Sequence, residues 1–114
     1  MTVLHVVLLG FKPDTAPEAI QQCCADMLDL KNICVSAASG QPYIKSSRGG
    51  KDISIEGLQD GLTHAFVVEF DSEADRDFYV KQDKAHHAFV EKWFKAKDAP
   101  LGKAAVLDFV PGAF

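Results

Sequence analysis

Residues Thr2 to Phe11 form a run that is apolar on both of its alternating sides. Val3, His5, Val7, Leu9 and Phe11 share one side, and Leu4, Val6 and Leu8 share the other. Successive side chains of a strand point to opposite faces, so a strand of this kind must be covered twice. One layer has to lie over each face of the sheet that holds it. The stretch is too short to span a bilayer as a helix.

The layers can be read further along the chain. Thr15 and Glu18 have capping-box spacing, with Pro17 in the first turn where a missing N–H costs little. The helix they introduce carries Ile20, Cys23, Cys24, Met27 and Leu28 at helical spacing and ends near Asn32. Ser36 to Gly61 is rich in Ser and Gly, with room for one short strand at Tyr43–Ser47. Thr63–Phe70 is a strand with His64, Phe66, Val68 and Phe70 on one side. Ser72 and Asp75 cap a helix that runs to about Lys81, and Asp83 caps a second piece that runs to about Ala96. Pro100 and Gly102 make a turn before a last strand at Ala104–Val110.

This order gives the α+β class: a ferredoxin-like βαββαβ arrangement with a four-stranded antiparallel sheet, over residues 1–114 as one domain. Helices then cover only one sheet face. The other is still apolar at Leu4, Val6, Leu8, Ala65 and Val67, and a second copy of the chain is the economical cover. The expected assembly is therefore a two-fold homodimer joined through the open sheet face.

Charge limits the partners. Twelve basic against sixteen acidic residues leave a net charge of −4, with no basic run. Neither nucleic acid nor an anionic membrane surface is an expected partner. Three cysteines without a CxxC pair read as free thiols, and the N-terminus lacks a signal-peptide pattern. A cytoplasmic location is expected. No metal-ligand cluster or cofactor motif stands out, so no metal or cofactor is expected.

Among candidate functional residues, His86 is the most telling. With Phe89, Val90, Trp93 and Phe94 it lies on one apolar helix face, at the N-terminal end. There the helix dipole disfavours its charged form, leaving a neutral imidazole able to accept a proton. His87 is off that face. His5 and His64 lie on strand sides assigned to the helices, and the sequence does not fix whether register brings them together. Val7, Leu9, Cys23, Met27 and Phe89 would line any space between sheet and helices.

Several of these segments resemble the stress-responsive dimeric α+β barrel (Dabb) family. The segment from His5 to Asp14 is similar to its H-x-x-x-x-x-F-K start. Thr63-His64-Ala65-Phe66-Val67-Val68-Glu69-Phe70 is similar to its T-H-x-x-V-x-x-F strand. Asp83-Lys84-Ala85-His86-His87-Ala88-Phe89 resembles its D-P-A-H-x-x-F helix start, with Lys84 in place of the proline. Gly50-Lys51-Asp52, Glu56-Gly57-Leu58 and Val106-Leu107-Asp108-Phe109 resemble further pieces in order. The resemblance implies a homodimer. It also implies cofactor-free proton-transfer chemistry on a small apolar carbonyl compound, polyketide-cyclase-like or lyase-like. His86 would be the base and Tyr79 the oxyanion donor, with His64 and His5 orienting the substrate. The spacing from Tyr79 to His86 is one residue longer than in the cyclase-type pattern. The alternative is a non-catalytic, stress-associated binding or structural homodimer.

Overall fold

The computed structural model describes residues 1–114. Its strands are β1 (Val3–Phe11), β2 (Ile44–Lys51), β3 (His64–Phe70) and β4 (Leu101–Phe109). Its helices are α1 (Pro17–Ile33), α2 (Glu73–Lys81) and α3 (Lys84–Val90), the last continuing into a π-helical turn at Glu91–Lys95. The sheet order is β2-β3-β1-β4, with every pair antiparallel. This is the ferredoxin-like arrangement expected from the element order.

The two-sided apolar strand occupies the centre of the sheet. Val3, His5, Val7 and Leu9 are buried beneath the helices, while Leu4, Val6 and Leu8 are half-buried on the opposite face. The register aligns the second set with Ala65 and Val67 of β3 and with Ala105, Leu107 and Phe109 of β4. Leu107 is 69% exposed, so one face of the sheet has no cover within a single chain.

Local chemistry corrects several boundaries. The Thr15–Glu18 capping box does not form. Thr15 Oγ1 donates to the Lys12 carbonyl instead, and Ala16 occupies the N-cap without a side-chain bond. On α1 the buried stripe is Cys23, Met27 and Leu30, whereas Leu28 is 39% exposed. The helix is rolled so that Leu30 and the following Cys34 enter the core. β2 runs to Lys51, past the expected end at Ser47, because Gly49 lets it pass beneath a ring. A Cβ at Gly49 would lie 2.1 Å from the Phe66 side chain. β4 starts at Leu101, so Gly102 lies inside the strand and not in a turn. The caps at Ser72 and Asp83 form as expected, with Ser72 Oγ accepting from the Asp75 N–H at 3.1 Å.

Candidate active site

Asp83 fixes the helix that carries His86. It is 3% exposed. Its Oδ1 accepts from the Ala85 and His86 backbone N–H groups at 2.9 and 3.2 Å. Its Oδ2 accepts from the Tyr43 hydroxyl at 2.5 Å, which ties the start of α3 to the residue before β2. Burial of the Tyr43 phenol, and then this bond to Asp83, push its pKa upward, so it remains a donor.

His86 is oriented by Tyr79. Nδ1 donates to the Tyr79 backbone carbonyl at 3.0 Å. The rings of the two residues stack with centroids 3.9 Å apart. A carbonyl can only accept, so Nδ1 carries the hydrogen and Nε2 the lone pair. Burial pushes the imidazole pKa down to about 4. His86 is therefore neutral at pH 7, as expected, but the main cause is desolvation by burial, where the helix dipole had been the expected one.

His5 has a different support. Its Nδ1 lies 2.6 Å from Asp108 Oδ1, and the second Asp108 oxygen accepts from the Arg76 guanidinium at 2.8 Å. Arg76 also pairs with Asp77 at 2.8 Å. The carboxylate sets the His5 tautomer in the same sense, with Nδ1–H outward and Nε2 free. The ring packs edge-on against Tyr79 and Phe70 at 5.6 and 6.2 Å. Register explains the pairing: His5 of β1 lies directly opposite Asp108 of β4.

Both histidines line one cavity of about 560 Å³ between the sheet and the helices. This is within the size range of small-molecule sites. Val7, Met27, Phe89, Val90 and Phe94 supply apolar wall, and Arg76, Asp77, Lys81 and Asp108 supply polar groups. The π-helical turn that follows Val90 sends Phe94 to this cavity. Trp93 goes to α1, where Nε1 donates to Asp26 at 3.0 Å.

Not every expected residue reaches the cavity. Leu9 and Cys23 have no exposure and belong to the packed core, where they fill space and line none. His64 is opposite Leu9, four positions along β1 from His5. At about 3.4 Å per residue that is roughly 14 Å away. Its Nδ1 bonds Thr63 Oγ1 at 2.8 Å, its ring meets Phe11 edge-on, and it borders a separate, smaller cavity. Tyr79 borders the main cavity, but its hydroxyl is buried without a hydrogen-bond partner. The phenol is driven into the core and its pKa is raised, chiefly by burial. Its carbonyl and ring, not its hydroxyl, contact His86. Arg76 and Asp108 were missed by sequence reasoning. The available signal was an aspartate on the inward side of an apolar strand, where a charge needs a partner.

Residues 3–111 match the model of the Stress responsive A/B Barrel Domain. The chain belongs to this family. A stress-response A/B barrel domain-containing protein of Arabidopsis thaliana is 34% identical over 109 residues, covering 96% of this chain and 89% of the relative. Among solved structures, a hydroxynitrile lyase from Passiflora edulis superposes with a TM-score of 0.81 at 27% identity, covering 99% of this chain and 96% of that one. A dimeric ferredoxin-like protein from Thermobifida fusca superposes at 0.69 with 17% identity, covering 96% and 90%, and shares the fold. No helix of this A/B barrel protein is long and apolar enough to cross a membrane.

Proposed function

We propose that this A/B barrel protein is a cofactor-free proton-transfer catalyst acting on a small apolar carbonyl compound or its hydroxylated adduct. One observation carries the reading: two imidazoles line one largely apolar cavity, each with Nδ1 tied to an acceptor and Nε2 unbonded. Two lone pairs at one site can receive and return protons without a metal or an organic cofactor. The role first expected of His86 alone is divided. His5 takes the substrate proton, because the Asp108 carboxylate stabilises the imidazolium that forms. Neutral His86 accepts a hydrogen bond from the substrate and orients it.

Both polyketide-cyclase-like and lyase-like chemistry fit this layout. In a lyase step, His5 Nε2 takes the hydroxyl proton and the carbonyl forms. The carbon–carbon bond breaks with its electron pair on the departing carbon, which takes the proton back from the imidazolium. The lyase among the structural relatives supports this direction. The working unit is a homodimer joined through the open sheet face; the uncovered Leu107 and the dimeric fold relative support it. Three free cysteines support a reducing, cytoplasmic setting.

The test is twofold: cyanide release from hydroxynitriles, and deuterium uptake next to the carbonyl of small apolar ketones in D2O. The wild-type protein should catalyse at least one. His5→Ala should lower that rate by about 10²- to 10⁴-fold. A rate unchanged by both His5→Ala and His86→Ala would end the proposal. A second reading is a non-catalytic ligand-binding dimer. The sequestered Tyr79 hydroxyl favours it, because the tyrosine then supplies no oxyanion donor.

A further inference from the structure

The segment joining β2 to β3 carries the most exposed isoleucines of the molecule. Ile53, Ile55 and Leu58 are 91%, 99% and 81% exposed. Yet the segment is a built arm. The Asp52 N–H donates to the Thr63 carbonyl at 2.7 Å. The Asp52 carboxylate accepts from the Ser54 N–H at 3.0 Å and from Gln59 Nε2 at 2.7 Å. Lys103 of β4 donates to the Asp60 carbonyl and carboxylate at 2.7 and 2.5 Å. Polar groups of the arm thus bond one another, Thr63 and Lys103, while its large apolar side chains are left to face outward.

Its seat is the open sheet face. Gly10 lies on the same side of β1 as Leu4, Val6 and Leu8, and a Cβ there would meet the Gly61 carbonyl oxygen at 2.4 Å. The missing side chain lets the arm cross that end of the face. Leu8 and Ala65 form the floor of a groove whose wall is the arm. At the opposite end of the same face, Leu107 and Phe109 are 69% and 46% exposed, opposite Val6 and Leu4 of β1. A two-fold interface pairs unlike patches reciprocally: if i meets j, then j meets i. An arm at one end and an uncovered apolar pair at the other meet that condition. The sheet face alone presents about a dozen side chains by register. A stable interface engages about 20–30 residues a side, so more surface is needed.

We infer that the Ile53–Leu58 arm is a dimer clasp: each copy lays its arm over Leu107 and Phe109 of a second copy. The inference rests on the homodimer reading and adds a surface to it. Sedimentation equilibrium on the full chain at micromolar concentration tests it. Ile53→Ser with Ile55→Ser should weaken dimerisation at least tenfold, with the circular dichroism unchanged. Independently, Ile55→Cys and Leu107→Cys chains, each also carrying Cys24→Ser, are mixed and treated with a short bis-maleimide. The cross-linked dimer should be enriched in the mixture over either variant alone. A dimeric wild type with undiminished affinity in the arm variant and no enriched cross-link refutes the clasp and leaves the dimer. A monomeric wild type overturns both. If the dimer is unchanged and only the wild type floats with phosphatidylserine–phosphatidylcholine vesicles, the arm faces lipid and the clasp falls.

Discussion

His86 Nδ1 lies 3.0 Å from the backbone carbonyl of Tyr79, and the rings of the same two residues stack at 3.9 Å. Seven residues apart in sequence, they lie on two helices separated by the capped turn at Asp83. The carbonyl sets the imidazole tautomer and the ring covers one of its faces. The tyrosine therefore acts on the histidine through atoms other than its hydroxyl, which is buried without a partner.

Tyr79→Phe separates the two roles. Removing a buried hydroxyl that lacks a partner should be neutral or slightly stabilising, within about 1 kcal/mol. Turnover should be retained, because the carbonyl and the stacked ring persist. Urea denaturation and the hydroxynitrile assay check this. A large loss of rate at unchanged stability would place the hydroxyl at the reacting atoms.

Asp108→Asn should leave the fold standing and scramble the His5 tautomer, since an amide can donate as well as accept. The rate should fall by up to about 10⁴-fold, the loss when an orienting aspartate becomes asparagine elsewhere. Imidazole ¹⁵N shifts read the tautomer without any substrate. Wild-type His5 should report Nδ1–H, and the variant a mixture.

Stability should fall as pH drops toward 4, partly through His86. Its folded pKa is lowered to about 4 from an ordinary value near 6.5. Between these values the unfolded chain binds the extra proton, so stability is fully present above 6.5 and is lost as pH falls. Screening at a partly exposed ring brings the contribution to about 1–2 kcal/mol. Thermal melts of wild type and His86→Gln from pH 7 to 4 check this. The difference between them should shrink or reverse toward pH 4, because the variant lacks this group.

Tyr43→Phe removes the 2.5 Å bond to Asp83 and should cost about 1.5–3 kcal/mol, the range for a hydrogen bond to a charged group. Asp83→Ala should cost more, since two backbone N–H groups and the Tyr43 hydroxyl lose their acceptor together. Chemical denaturation measures both. Equal losses would show that Tyr43 alone carries the contact.

Gly49→Ala should destabilise by at least about 1–3 kcal/mol, because the new methyl would overlap the Phe66 ring in the packed core. Melting of the full chain checks it. An unchanged midpoint would mean that Phe66 moves freely.

The sequence by itself determined the element order, the need to cover both sides of the first strand, the caps at Ser72 and Asp83, and the inward face of His86. These follow from the short-range periodicities of strand and helix and from the hydrogen-bonding needs of helix ends. Tertiary structure alone decided the rest. Register set His5 opposite Asp108 and left His64 four positions away. The packing of α2 against the sheet and α3 buried the Tyr79 hydroxyl and offered its carbonyl to His86. The roll of α1 exchanged Leu28 for Leu30. Such choices depend on contacts between residues as far apart as His5 and Asp108, and local pattern does not encode a distance between elements that meet only when the chain is folded.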